Sequence, residues 1–178
     1  AKIAYDNAED PEKVRDTMEK LTAAGQQLET LINDVLDISR MESGRMRITH
    51  EPFDLYELLA RCGDTLHTQV VRMQLTCHVH FNHRHSHVIG SPLHVKRLVM
   101  NIISNAIKYN KDNGSITLTL HELRSEGDKA WIRFTCADTG IGMSEEFQKH
   151  LFEPFAQELL DARSTYGGTG LGMPIAKA

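Results

Sequence analysis

The hydrophobic pattern is most regular between Leu98 and Tyr109, where apolar residues recur at intervals of three and four. This period is typical of an amphipathic helix that buries one face. Asn101, Asn105 and Lys108 repeat with the same rhythm. Because four residues make about one helical turn, we expect the two amides and the ammonium to lie in one stripe beside the buried face.

A longer helical pattern occupies the N-terminal part of the chain. Asp10 is a typical N-cap residue, Pro11 suits the first helical position, and Ser43-Gly44 predicts the end. The apolar positions in between alternate spacings of four and three residues, which is the heptad pattern of a helix that packs against other helices. They are Val14, Met18, Leu21, Gly25, Leu28, Ile32 and Val35. The pattern favours dimerisation or a bundle; the alternative is a helix packed on its own domain, although no second strong helix precedes it.

The next segment predicts a strand, a helix and a second strand. Residues 46–48 and a turn at 51–53 indicate a short strand, and Asp54 with Glu57 forms a capping box at the start of a helix. Alternation of apolar and polar residues from Leu75 to Phe81 is typical of a half-buried strand. The apolar face of the intervening helix comprises Leu55, Leu58, Leu59, Cys62, Leu66 and Val70.

Two turn signals organise the chain after the helix that carries the amides. Asn113-Gly114 predicts a hairpin before the alternating run 116–120, and the turn at 126–128 returns the chain towards Asp138. The pattern as a whole predicts an α+β fold, with helices on one face of a mostly antiparallel sheet.

The composition narrows the class of protein. With 178 residues the chain can hold one ordinary domain and an appendage. Its 20 basic and 24 acidic residues give a net charge of -4, which argues against a nucleic-acid binder or a polybasic membrane anchor. Three cysteines without CxxC spacing indicate neither a disulfide framework nor a zinc site, and favour a reducing compartment. No apolar run approaches the ~20 residues of a membrane span. We expect a piece of a longer protein, whose spans, if any, lie outside it.

Two glycine-rich segments carry candidate chemistry. Residues 138–142 (DTGIG) follow directly on a strand, and residues 167–172 (GGTGLG) directly precede a helix. Glycines at a helix start let backbone N–H groups approach phosphate oxygens, and the helix dipole adds to the attraction. Neither segment has the context of a Walker loop or of a dinucleotide-binding fold. The carboxylate of Asp138, at a strand end, is suited to accept a hydrogen bond from an exocyclic amine and so to select adenine.

Four segments resemble, in order and spacing, the signature boxes of sensor histidine kinases. Residues 101–109 (NIISNAIKY) resemble the N box, 138–143 (DTGIGM) the first glycine box, 152–155 (FEPF) the F box, and 168–172 (GTGLG) the second glycine box. Residues 31–46 resemble the second helix of the dimerisation domain and its link to the ATP-binding domain. The chain is therefore identified as a member of this family of two-component signalling proteins.

This resemblance implies a fold and a set of partners. Residues 1–45 would be part of the dimerisation and histidine-phosphotransfer domain. Residues 46–178 would be a catalytic ATP-binding domain of the Bergerat type, a two-layer α/β sandwich without its last strands. The implied assembly is a homodimer through the helical segment, which serves the receiver domain of a response regulator. The implied location of this region is cytoplasmic, with any membrane anchor outside the chain.

The resemblance also implies roles for individual residues. Asn105 would hold the Mg²⁺ that bridges the phosphates of ATP, with Asn101 beside it and Lys108 reaching phosphate oxygens. Tyr109 would line the nucleotide pocket, and Asp138 would accept the adenine amine with the help of water.

Glycines and a mobile segment complete the implied site. Gly140 and Gly142 would let the backbone pass close to the base. Residues 156–166 would form an ATP lid hinged on the second glycine box and on the F box, which includes Phe155, and Arg163 within the lid would reach the γ-phosphate. The second glycine box would contact the nucleotide through Gly168, Thr169, Gly170, Leu171 and Gly172.

Two other functions stay open in the larger ATPase superfamily, which includes gyrase, mismatch-repair and heat-shock-chaperone ATPases. Those hydrolases resemble this pattern but have a glutamate, one turn before the metal-binding asparagine, that activates water. Here Asn101 occupies that place and has no useful proton affinity, so we expect transfer of the γ-phosphoryl group to an imidazole. The alternatives are an ATP-hydrolysing member of the superfamily and a non-catalytic nucleotide-binding scaffold.

The histidines raise two further questions. The family's phosphoacceptor is a histidine followed by an acidic residue, a basic residue and a proline; His121 comes nearest, but it lacks the proline and ends a predicted strand. We therefore expect the acceptor outside this chain, which would act only in trans. The five histidines within residues 78–87 permit a metal site, but no cysteine or carboxylate joins them at ligand spacing. We favour solvent-exposed histidines there.

Overall fold

The computed structural model describes residues 10–82, 84–158 and 169–177. The chain divides into two compact units, Ala1–Met46 and Arg47–Ala178. The predicted roles of Arg163 and Gly168, and most of the predicted lid, lie outside the described residues. Within those residues, none of the helices combines the length and the apolar character that a membrane span needs.

The first unit consists of one long helix, α1 (Pro11–Glu42), as far as its residues are described. The carboxylate of Asp10 accepts a hydrogen bond from the backbone N–H of Lys13 at 3.2 Å, and Gly44 takes a φ of +64° just beyond the last turn. The predicted start and end of this helix are confirmed. Most side chains of the heptad pattern are exposed, up to 60% for Leu28, so this apolar seam has no partner within the described unit.

The second unit contains a mixed sheet and the helices that cover it. In chain order its elements are β1 (Glu51–Asp54), α2 (Leu55–Arg72), β2 (Thr76–Asn82), β3 (His87–Gly90), α3 (Pro92–Lys108), β4 (Ser115–Glu126), β5 (Lys129–Asp138), α4 (Glu145–His150) and α5 (Gly172–Lys177). Strand β4 pairs in parallel with β2 and antiparallel with β5, and β1 forms a separate antiparallel pair with β3. The predicted α+β class with a mixed, mostly antiparallel sheet is confirmed.

The core lies between the helices and one face of this sheet. Helices α2 and α3 bury their predicted apolar faces against β4, where Ile116 and Leu120 are almost completely enclosed. The buried cluster comprises Leu55, Leu59, Cys62, Leu66, Leu75, Val99, Ile103, Ala106, Ile107, Ile116 and Leu120. Because side chains alternate along a strand, His78 and His80 fall on the opposite face, beside Thr117 and Thr119, and they are exposed.

Three local predictions differ from the structure. Residues 46–48 have no regular structure, and the first strand instead occupies the expected turn at Glu51–Asp54. The short strand β3 was not predicted. Asn113-Gly114 is a turn from α3 into β4 rather than a β-hairpin, because β4 pairs in parallel with β2 and α3 lies in the connection between them.

Strand β2 is also more exposed than its half-buried pattern predicts. It lies at one edge of the described three-stranded sheet and pairs only with β4 there. The Val79 side chain is therefore about half exposed, while Phe81 finds a partner in an edge-to-face contact with Tyr56, with ring centroids 5.0 Å apart. An edge position exposes apolar side chains that the same pattern would bury in a central strand.

A buried carboxylate fixes the segment that leads into β3. The Glu122 side chain is 5% exposed and accepts hydrogen bonds from the backbone N–H groups of Arg84, at 2.7 Å, and His85, at 3.1 Å. It also contacts Nδ1 of His85 at 3.0 Å. These bonds, led by the one from the Arg84 backbone, hold the pKa of the Glu122 carboxyl below its usual value.

We predict that Glu122→Gln destabilises the protein in a pH-dependent way. A carboxyl whose pKa is lowered by folding stabilises the protein above its unfolded pKa, and this contribution is lost as the pH falls through the folded pKa. The variant should therefore unfold at lower urea than the wild type at about pH 7, and the difference should shrink from about pH 4 downward. Glu126→Gln, at an exposed strand end, is the matched control. A difference that does not change with pH would contradict the prediction.

Candidate functional site

The polar stripe of α3 lies where the sequence pattern predicts it. Asn101, Asn105 and Lys108 follow one another at one-turn intervals, and each is half-buried. The apolar side of the same helix, with Val99 and Ile107, is enclosed in the core. Burial of that side leaves the helix no freedom to rotate, so the stripe has a fixed direction beside the core.

The members of the stripe differ in their partners. Within the described ranges, the side chain of Asn105 makes no hydrogen bond, so its amide oxygen can accept a ligand. Lys108 donates from Nζ to the hydroxyl of Tyr109 at 2.8 Å, and the same nitrogen lies 4.5 Å from the centre of the Tyr109 ring. This pair holds a cation and an aromatic face together at the C-terminal end of α3.

Asn101 connects the stripe to the second glycine box. Its Nδ2 donates to the backbone carbonyl of Gly172 at 3.0 Å, at the start of α5. Leu171 is completely buried, and its backbone N–H donates to the hydroxyl of Thr169 at 3.2 Å. The described part of this box, residues 169–172, is therefore attached to α3 by the side-chain bond from Asn101.

The first glycine box joins the other end of α3. Asp138 ends β5, is exposed, and accepts a hydrogen bond from the backbone N–H of Gly140 at 2.8 Å. The N–H of Ile141 donates to the Tyr109 carbonyl at 3.1 Å, and a Cβ on residue 140 would collide with that same carbonyl oxygen. Gly142 has a φ of +72° and open space around its Cα. Gly140 is thus required for packing within the protein, whereas Gly142 leaves room for a ligand.

Sequence reasoning missed a buried polar cluster behind this loop. Asn110, only 2% exposed, donates to the Ser115 carbonyl at 3.1 Å and accepts from the hydroxyl of Thr139 at 3.3 Å. The backbone N–H of Ser115 donates to that hydroxyl at 2.8 Å. An asparagine just after a helix is ordinarily solvated, so only the three-dimensional approach of β4 and the loop reveals its burial.

The F box meets the second glycine box through the backbone. The N–H of Phe155 donates to the Gly170 carbonyl at 3.1 Å, and both residues take positive φ values, +65° and +68°. A Cβ on residue 170 would lie 2.7 Å from the Phe155 carbonyl carbon, so glycine is needed there. The Phe155 side chain is 61% exposed. The two ends of the intervening segment are therefore joined by main-chain contact rather than by a hydrophobic core.

A hydrogen-bonded pair of side chains connects α4 to the F box. Nδ1 of His150, at the end of α4, lies 2.9 Å from the Glu153 carboxylate, and the hydrogen bond to Glu153 raises the pKa of the His150 imidazole. Both side chains are exposed, so the pair adds little to stability.

The arrangement combines the chemical groups that a nucleoside triphosphate requires. Lys108 offers a positive charge, Asn105 a neutral oxygen, and Asp138 a hydrogen-bond acceptor. Mg²⁺ prefers oxygen ligands and usually binds through one or two protein groups together with phosphate oxygens, which the free amide oxygen of Asn105 fits. Within the described ranges, no group of three or more His, Cys, Asp or Glu side chains is arranged to hold a metal ion.

We predict that Gly140→Ala destabilises the second unit. The added methyl group would overlap the Tyr109 carbonyl, so either the loop or the end of α3 must shift, at a cost of about 1–3 kcal/mol in the free energy of unfolding. Gly63→Ala is the matched control, because residue 63 lies within α2 with open space around it; it should stabilise the helix by about 0.5–1 kcal/mol. Urea denaturation measures both. Equal stabilities of the two variants would disprove the packing role of Gly140.

Solved structures with a similar fold include a histidine kinase. Full-length ShkA in complex with AMPPNP aligns with a TM-score of 0.73 at 24% identity, over 92% of this chain and 32% of that one. Histidine kinase ThkA in complex with response regulator protein TrrA aligns with a TM-score of 0.64 at 20% identity, over 86% of this chain and 43% of that one. At such low identity these alignments support the fold alone.

Sequence comparison agrees with the predicted resemblance. The circadian input-output histidine kinase CikA of Synechococcus elongatus is 33% identical over 168 residues, which are 93% of this chain and 22% of the relative. The chain thus spans about a fifth of the length of that relative. The model of the histidine kinase-, DNA gyrase B- and HSP90-like ATPases matches residues 90–178, which include all four boxes. The resemblance to histidine kinases is confirmed, and the chain belongs to the family of histidine kinase-, DNA gyrase B- and HSP90-like ATPases.

Proposed function

We propose that this chain is the ATP-binding core of a protein histidine kinase. The observation that carries the proposal is the hydrogen bond from Asn101 Nδ2 to the Gly172 carbonyl. An amide can donate this bond, whereas a carboxylate, as in the hydrolases of the superfamily, cannot. In the hydrolases the residue at this position activates water. Here it is Asn101, a neutral side chain whose N–H already bonds to the second glycine box. This favours phosphoryl transfer over hydrolysis.

The nucleotide extends along the stripe of α3 in this proposal. Asp138 accepts a hydrogen bond from the adenine amine, and Tyr109 lines the pocket for the base. Lys108 binds phosphate oxygens, and the amide oxygen of Asn105 holds Mg²⁺, with Asn101 beside it. When bound, Mg²⁺ neutralises charge on the phosphates. The half-buried side chains exclude part of the solvent, which strengthens each of these electrostatic contacts.

The lid of the site is residues 156–166 in this proposal. The contact between Phe155 and Gly170 supports it, because it brings both ends of the segment to one place. Closure would exclude water from the phosphates, and Arg163 would then reach the γ-phosphate. Gly168, Thr169, Gly170, Leu171 and Gly172 would contact the nucleotide through their backbone at the start of α5.

The reaction is the transfer of the γ-phosphoryl group to a histidine outside this chain. A neutral imidazole nitrogen attacks the γ-phosphorus, a nitrogen–phosphorus bond forms, and the bond from phosphorus to the bridging oxygen breaks, which releases ADP. The imidazole is nucleophilic without a general base, so the protein has to supply only positioning and charge neutralisation. The phosphoryl group then passes to an aspartate of a response regulator.

The partners follow from the same proposal. Two copies of α1 pair through the exposed heptad seam, since an apolar seam of this length is not otherwise covered within the described unit. A response regulator receives the phosphoryl group; the solved ThkA complex contains one. We propose that this region lies in the cytoplasm and that any membrane anchor lies outside residues 1–178. We propose no nucleic-acid partner.

We predict that Asn105→Ala removes the Mg²⁺-dependent part of ATP binding. Loss of the only protein oxygen proposed for the metal should weaken binding by at least about tenfold with Mg²⁺, with little change in EDTA. Titration calorimetry with ATP under both conditions measures this. Asn113→Ala, which removes an exposed amide outside the stripe, should bind like the wild type. Equal Mg²⁺ dependence in both variants would refute the metal role of Asn105.

We also predict phosphorylation of a histidine in trans. The chain is incubated with γ-labelled ATP and a separate domain that bears the acceptor helix of the same full-length protein. Acid-labile, alkali-stable label on that domain supports the kinase, and Asn105→Ala should abolish it. Steady release of free phosphate that is independent of the acceptor would instead establish a hydrolase. ATP binding with neither product would establish a non-catalytic scaffold.

A further inference from the structure

Asn110 is a buried polar residue, and its amide both donates and accepts hydrogen bonds. Nδ2 donates to the Ser115 carbonyl at 3.1 Å. Oδ1 accepts from the backbone N–H of Lys111 at 3.0 Å and from the Thr139 hydroxyl at 3.3 Å. Burying an amide is unfavourable unless it is hydrogen-bonded, and these bonds to its nitrogen and its oxygen offset that cost. The side chain thus joins the end of α3, the start of β4 and the loop after β5.

Thr139 extends this junction to the residue next to Asp138. Its hydroxyl accepts from the Ser115 N–H at 2.8 Å, and its own N–H donates to the Ser115 carbonyl at 3.1 Å. The junction is tightly packed, because a Cβ on Gly114 would meet the Thr139 hydroxyl at 2.8 Å and would also collide with Asn110 Oδ1. Residue 114 therefore has no room for a side chain.

The exposed carboxylate of Asp138 depends on this junction for its direction. Its side chain accepts a local hydrogen bond from the backbone N–H of Gly140, two residues on. The loop itself is held within this turn at Thr139, by Asn110 and Ser115, and just after it at Ile141, by the Tyr109 carbonyl. A shift of Thr139 would therefore turn the carboxylate relative to the end of α3.

We infer that Asn110 is a positioning residue that sets adenine selectivity, acting through Thr139 on Asp138. This inference rests on the proposed ATP site and adds to it a residue that contacts no nucleotide. The role requires a group that donates and accepts at once. An aspartate at position 110 could still accept from Thr139, but it would face the Ser115 carbonyl without a proton to donate.

The test compares three ligands with Mg²⁺: ATP, inosine triphosphate, which carries an oxo group in place of the adenine amine, and tripolyphosphate, which has no base. In Asn110→Asp and Thr139→Val, the preference for ATP over inosine triphosphate should fall by about tenfold, the size expected for a misplaced hydrogen bond to a charged group. Tripolyphosphate affinity should stay within about twofold of the wild type. Thr139→Ser keeps the hydroxyl and should restore the preference.

Two controls separate positioning from general damage. Asn113→Asp makes the same chemical change at an exposed site three residues on and should leave the preference intact. In an Asp138→Ala background, Asn110→Asp should lower the preference no further, because the two residues act in one chain of contacts. Should Asn110→Asp fail to fold, the Thr139→Val and Thr139→Ser pair carries the same comparison.

The outcomes are distinct. Equal losses for all three ligands, or an unchanged preference in folded Asn110→Asp and Thr139→Val, would overturn the positioning role while the ATP site stands. Wild-type protein that binds none of the three ligands would overturn the proposed function, and the inference with it. Loss of preference in Thr139→Val and its recovery in Thr139→Ser would support the inference.

Discussion

Burial of one side of α3 is the constraint on which the rest of the second unit depends. Val99, Ile103 and Ile107 contact the core that α2 and β4 share, so the helix cannot turn about its axis. Its half-buried stripe then has one direction, and both glycine boxes are attached to it: one through Asn101, the other through the Tyr109 carbonyl. A hydrophobic interaction thus places groups that are themselves polar, and the candidate site inherits the rigidity of a close-packed core.

Local sequence patterns were sufficient to predict the features that depend on a single helix or turn. The extent of α1, the apolar face of α2 and the stripe of α3 each repeat regularly within one segment. Residues 126–128 were also predicted correctly, since Gly127 with a φ of +60° suits a tight connection between strands that are already neighbours. Asn113-Gly114 also forms a turn, as predicted, with a φ of +58° at Asn113. A turn alone does not specify which strand the following strand will pair with.

The features that were missed depend on contacts between distant segments. Strand β3 has only four residues and exists through its pairing with β1, which no local pattern encodes. Asn110 gave no signal, because its burial results from the approach of Ser115 and Thr139. The placement of Asn101, Asn105 and Lys108 on one helix was predicted more fully, since their spacing lies within a single segment. The sequence did not predict that Gly140 packs against the Tyr109 backbone. A glycine at that position is equally compatible with a nearby ligand and with a neighbouring backbone.

Because the backbone of Phe155 is bonded to that of Gly170, the structure of the site does not depend on the length of the segment between these two residues. Once the two ends of a segment are joined, the entropic cost of closing the loop rises only with the logarithm of the number of residues between them. Each doubling of the length adds about 0.6 kcal/mol to that free-energy cost. Insertions, deletions and changes of composition within residues 156–166 are therefore inexpensive for the fold. Such a segment can diverge between relatives, or be redesigned, while the glycine box at its base keeps its place.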